Sequence, residues 1–186
     1  MVHESYPWKQ DLLRRKNLLL KYNSTYLLEK NFETSCTVIE KSIFYSAFII
    51  RKLIDCKGKL SDEADSYSIK IKAVKPNKQI DIMHRWPEED NYEWDKEENV
   101  LVKGRDICNW LIHSYVFFFE FDESSIIKSF RVSSDYDKNK LLYEITLQDW
   151  IMYIDFIYTD DIVLLSSCYD KAKNDYVYTR KKRSTR

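Results

Sequence analysis

Glycine is almost missing from this chain: Gly58 and Gly104 are the only two in 186 residues. A Walker A loop and a dinucleotide-binding turn both need clustered glycines whose backbone closes around phosphates. Both are excluded, and no nucleotide or other cofactor is implied. Cysteine and histidine are sparse and scattered. Cys36, Cys56, Cys108 and Cys168 include no C-x-x-C pair, and His3, His84 and His113 lie far apart. Zinc sites are built from ligand pairs at short spacing, so no metal site is expected. Cys36, Cys56 and Cys108 fall in apolar segments and read as small buried hydrophobes in a reducing compartment. An excess of one charge is also lacking. Lys and Arg number 30, Asp and Glu 30, for a net charge of zero, so any polyanion binding must come from a local patch. No apolar run approaches the ~18–20 residues that span a bilayer. Trp8-Lys9-Gln10-Asp11 interrupts any leader-like stretch. The expectation is a cytoplasmic protein with no membrane partner.

What remains is a globular composition, 44% hydrophobic and 15% aromatic, at a length suited to one domain. We expect a single α+β domain over residues 1–179, followed by a basic tail at 180–186. Residues 7–32 carry apolar positions at a spacing of seven (Leu12, Leu19, Tyr26; Leu13, Leu20, Leu27), which predicts a helix. Residues 35–57 predict a second, with Val38, Ile39, Ile43, Ala47, Ile50 and Ile54 on one stripe and Gly58 as its left-handed stop. The short connection makes the two a long helical hairpin.

The period then changes to two. Tyr67, Ile69, Ile71 and Ala73 alternate with polar residues, and after a turn at Pro76-Asn77-Lys78 the residues 80–83 suggest the second strand of a β-hairpin. Residues 84–99 form a long acidic and aromatic loop. Residues 100–114 predict a short helix. Three antiparallel strands follow at 115–121, 126–133 and 141–145, as a meander. Thr146-Leu-Gln-Asp149 resembles a capping box and opens a helix to about residue 158. Residues 162–168 and 175–179 are compatible with short strands or helix ends.

The chemistry-bearing segment is Arg105-Asp-Ile-Cys-Asn109-Trp-Leu-Ile-His113-Ser. Spaced four apart on a helix, Arg105, Asn109 and His113 share one face. A neutral imidazole serves as a general base near pH 7, an arginine holds phosphate and transition-state charge, and an Asn amide orients either. That set suits metal-independent RNA cleavage by the substrate's own 2′-OH. The plain alternative is structural: a histidine at a helix C-terminus complements the dipole, and Asn109 bonds a neighbouring loop.

Asn109-Trp-Leu-Ile-His113-Ser resembles the end of the Arg-Asn-x-x-x-His signature of HEPN-domain proteins, with Cys108 standing where the signature has Arg. The resemblance implies a motif helix packed on a long helical hairpin, usually across a dimer. It gives Asn109 the polar role and His113 the role of base, and it implies RNA or a protein partner in a bacterial defence or toxin–antitoxin setting. Two functional readings follow. One is a HEPN-like binding or regulatory component that engages a protein partner, a second copy or RNA. The other is a metal-independent ribonuclease using His113 with Asn109 and Arg105.

Further binding candidates lie outside this helix. His84-Arg85-Trp86, followed by Glu88-Glu89-Asp90, reads as a spot that holds a cation or a basic partner, or as a solvated acidic loop. Arg180, Lys181, Lys182 and Arg183 read as a local patch for a polyanion or as a solvated terminus. Asp160-Asp161 pairs two carboxylates. The aromatic run Tyr115–Phe121 reads as core packing ahead of base stacking.

Overall fold

The apolar stripe of residues 35–57, with Leu12 and Leu19 from the first stripe, becomes the inner face of a helical layer, while Leu20 and Tyr26 of the first stripe are exposed. The computed structural model describes residues 2–88 and 90–182. Helix α1 (Ser5–Tyr22), the short α2 (Thr25–Lys30) and α3 (Phe32–Asp55) come first. Leu12 and Leu19 of α1 and Ile39, Ile43, Ala47, Ile50 and Leu53 of α3 are fully buried together. Gly58, just past α3, has a left-handed φ of 82°, where a Cβ would be strained.

The continuous helix expected over 7–32 is interrupted at Asn23-Ser24. The interruption has a partner 104 residues away. The Asn23 side-chain amide donates to the Ile127 carbonyl at 2.9 Å, and its oxygen accepts from the Ile127 N–H at 2.8 Å. An Asn side chain competing with helical backbone bonds is a common reason for a helix to stop.

After α4 (Asp62–Ser66) comes a five-stranded antiparallel sheet. It is built from β1 (Ser68–Val74), β2 (Glu98–Lys103), β3 (Ser114–Phe121), β4 (Ile127–Ser134) and β5 (Leu142–Thr146), in spatial order β2-β1-β5-β4-β3. The meander β3–β5 follows its sequence pattern. The partner of β1, however, is not residues 80–83. Strand β1 pairs with β2, Ile71 opposite Val100, so residues 100–103, expected to be helical, are strand. Val100 and Val102 alternate with outward residues, a period of two that a window centred on the following helix obscures. Helix α5 (Gly104–Ile112) then begins with no intervening loop. Helix α6 (Leu147–Thr159) starts with the expected cap: Thr146 Oγ1 accepts from the Asp149 N–H at 3.0 Å and donates to its carboxylate at 2.6 Å.

One face of the sheet lies on the helices. Ile69, Ile71, Phe130, Val132 and Ile145 meet Ile107, Leu111, Trp150 and Ile154 there. The loop 75–97 packs over the other face, where Ile80 and Tyr92 cover Val74, Val116 and Leu142. That covered face also holds a charged row. Lys72, Glu144, Arg131 and Phe118 are cross-strand neighbours. Arg131 is 4% exposed, binds Glu97, Glu120 and Glu144, and lies under the Trp94 ring, 5.0 Å from its centroid.

The segments left open in the sequence, 162–168 and 175–179, are two strands, β6 (Ile162–Asp170) and β7 (Asp175–Lys182), paired as a separate hairpin. The basic run read as a tail from residue 180 is therefore strand as far as Lys182. Arg180 is tied to α4 by ion pairs to Asp62 and Asp65 at 2.8 and 3.2 Å. No described helix is long and apolar enough to cross a membrane.

Candidate functional site

Gly104 determines how α5 leaves the sheet. Its N–H donates to the Tyr67 carbonyl at 2.9 Å, and a Cβ there would run into the ring of buried Tyr153. The helix then turns Ile107, Cys108 and Leu111 into the core and leaves Arg105, Asp106, Asn109 and His113 towards the surface. Burial pushes the Cys108 thiol well above its ordinary range. The residue in the signature's arginine position is thus a neutral core side chain.

His113 caps the C-terminus of α5 and is exposed. Its N–H donates to the Asn109 carbonyl at 3.0 Å, and its own carbonyl accepts from the Asp135 N–H at 3.1 Å. That second bond fastens the β4–β5 turn to the end of α5 and leaves a cleft of about 760 Å³ between them. Asp106, Asn109, Trp110 and His113 line it from α5, Ser134 to Asp137 from the turn, and Tyr143 from β5. Trp110 and Tyr143 stack face to face, with centroids 3.6 Å apart and planes 6° from parallel. Burial, then the carboxylates of Asp137 and Asp106, raises the Tyr143 phenol above its usual range, so it is a proton donor at neutral pH.

Asn109 and His113 therefore share this cleft. Arg105 does not reach it. Arg105 Nη2 pairs with Asp55 at 3.2 Å and lies in a neighbouring groove of about 460 Å³ beside Lys57, Tyr178 and Arg180. Between the two stands Arg51 of α3, which sequence reasoning missed. Its Nε donates to Asn109 Oδ1 at 2.7 Å, and its guanidinium also pairs with Asp55. The signal for Arg51 was its spacing of four from Asp55 on a helix, beside the buried stripe of α3. Asp137 and Tyr143, on the turn and strand across the cleft, carried no such local sign.

The other candidates lie apart. Arg85 sits over the Trp86 ring, 5.3 Å from its centroid, and both line a small pocket with Glu40 and Tyr115. Lys181 is exposed on β7, Lys182 lies over Phe156, and Arg183 falls outside the described residues. Asp160 is a structural carboxylate: buried, it accepts from the Ser61 N–H and hydroxyl and so ties the end of α6 to the start of α4. Phe117 and Phe119 of the aromatic run pack against the helices. Among the described residues no group of three or more His, Cys, Asp or Glu is placed to hold a metal ion. Comparison with known proteins finds no family model, no curated protein and no solved structure that matches the chain.

Proposed function

We propose that the chain is a cytoplasmic binding or regulatory component that engages a protein partner through the cleft between α5 and the β4–β5 turn. The observation that carries this reading is the sign of the lining. Asp106, Asp135 and Asp137 line the cleft with a single imidazole; Asp135 and Asp137 are paired with Lys138 and Lys140, Asp106 has no ion pair among the described residues, and the neighbouring guanidinium groups, Arg51 and Arg105, are both held by Asp55. A phosphate backbone is attracted by unpaired basic groups, and the unpaired carboxylate of this cleft is Asp106. The HEPN resemblance then concerns the placing of the motif helix on the helical pair, with Cys108 in the core.

The second reading, a metal-independent ribonuclease using His113 with Asn109 and Arg105, is favoured by one contact. Arg51 on Asn109 supplies a guanidinium next to the motif from another helix. One experiment separates the two. The full chain is incubated with mixed single-stranded RNA in EDTA, beside His113→Ala, and RNA retention is measured on the same samples. The binding reading expects wild type and His113→Ala to be equally inert. EDTA-resistant cleavage that His113→Ala abolishes overturns it in favour of the ribonuclease, which also requires two copies sharing the cleft and hence a dimer by light scattering.

A further inference from the structure

We propose that the ligand of this cleft is a basic peptide segment, whose cationic side chain pairs with Asp106 and whose main-chain carbonyls accept from Trp110 and Tyr143. The inference rests on the cleft being a binding site, as above, and names what fills it.

Three observations converge. The first is an unspent carboxylate. Asp135 and Asp137 have cations of their own in the same turn, Lys138 at 2.7 Å and Lys140 at 3.2 Å. Asp106 forms no ion pair or hydrogen bond among the described residues, although it lines the cleft and is half-buried. The second is a pair of unspent donors. Trp110 and Tyr143 are each 9% exposed, and neither the indole N–H nor the phenol O–H has a hydrogen-bond partner among the described residues. Tyr143 lines the cleft together with Asp106 and Asp137. The indole nitrogen and the phenol oxygen both remain reachable by solvent in residues that line the cleft, and so are donors free to meet a ligand's acceptors. The third is the amide of Asn109. Its oxygen is taken by Arg51, which leaves its NH₂ as a further donor towards the cleft.

One cation to satisfy Asp106, together with carbonyl oxygens to satisfy an N–H, an O–H and an amide, describes a peptide carrying Arg or Lys. A free polyanion supplies acceptors but meets the carboxylate; a bare cation supplies no acceptor. The volume of about 760 Å³ is within the range of sites that enclose small ligands and admits a few residues of extended chain.

The test uses the full chain and labelled peptides read by fluorescence anisotropy at physiological salt. The probes are a Gly-Arg-Gly-Arg-Gly peptide, its Lys and Glu counterparts, and a single-stranded RNA of mixed sequence. The proteins are wild type, Asp106→Asn and Tyr143→Phe, each checked for wild-type melting. The expected result is saturable binding of the Arg or Lys peptide, weakened about 10- to 100-fold by Asp106→Asn and several-fold by Tyr143→Phe, with no binding of the Glu peptide. Basic-peptide binding unchanged in Asp106→Asn overturns the inference, because the contact is then diffuse charge. Binding of RNA or the Glu peptide that these variants remove also overturns it, while leaving the cleft as a binding site. If no probe binds, the inference and the reading of the cleft fall together.

Discussion

Gly104→Ala is the most direct probe of how the candidate site is built, because two effects of known sign oppose each other there. Alanine is the better helix residue by at most about 1 kcal/mol, the helix-interior value, and Gly104, the first residue of α5, has no positive φ that would penalise it. On those grounds alone the substitution stabilises. The added methyl, however, falls within 3.0 Å of three atoms of Tyr153. That ring has no retreat: it is fully buried, stacked on Tyr67 with centroids 5.1 Å apart, and edge-on to Trp150 at 5.8 Å. Overpacking of this kind costs about 1–3 kcal/mol and at times more, and a clash with the phenol end of a fully buried ring belongs at the upper end. The net expectation is a loss of about 2 kcal/mol, or a fall in Tm of about 4–8 °C for a chain of this size. Urea unfolding measures it as a lower midpoint at constant slope. Adding Tyr153→Leu should recover part of the loss, so the double-mutant cycle should show a favourable coupling. A Gly104→Ala protein as stable as wild type, or more so, refutes the reasoning and with it the account of how α5 is seated.

Two more predictions concern the charged row beneath the 75–97 loop. Arg131→Met leaves Glu120 and Glu144 without their buried cation and should cost about 3–5 kcal/mol, read by the same unfolding assay; a loss below about 1 kcal/mol would show that the row is solvated. Glu97 also gives a pH signature. Burial raises its carboxyl, but hydrogen bonds from Lys72 and Arg131 outweigh this and hold it below its ordinary value. Its folded pKa is therefore below its unfolded one. The stability it contributes is present above the unfolded value of about 4.3 and is lost as pH falls through the folded one. Glu97→Gln should flatten the acid side of the stability profile, and an unchanged slope would remove Glu97 from the linkage.

What was legible in the sequence was whatever a short window contains. The stripe of α3, the alternation of β1 and β4 and the Thr146 cap each depend on residues within a turn or two of one another. The misreadings are non-local. Nothing near Asn23 shows that its amide will meet Ile127, and nothing near Ile71 shows that its neighbour is Val100 and not a residue just past Pro76. The candidate site divides the same way. Asn109 and His113 were found by helical spacing, whereas Arg51, Asp137 and Tyr143 reach the motif from three other elements. Arg105, on the same face by spacing, is drawn aside by Asp55, a partner from α3 that spacing along α5 does not reveal.

The Asn23–Ile127 pairing has a consequence for strand register. A slip of β4 by one residue would turn Phe130 and Val132 out of the helical core. The same slip would take both the N–H and the C=O of Ile127 away from the one side chain that satisfies them. The broken helix thus acts as a ruler held against the start of β4: packing and hydrogen bonding reject the same error, at a contact between segments that meet only when the sheet docks on the helices.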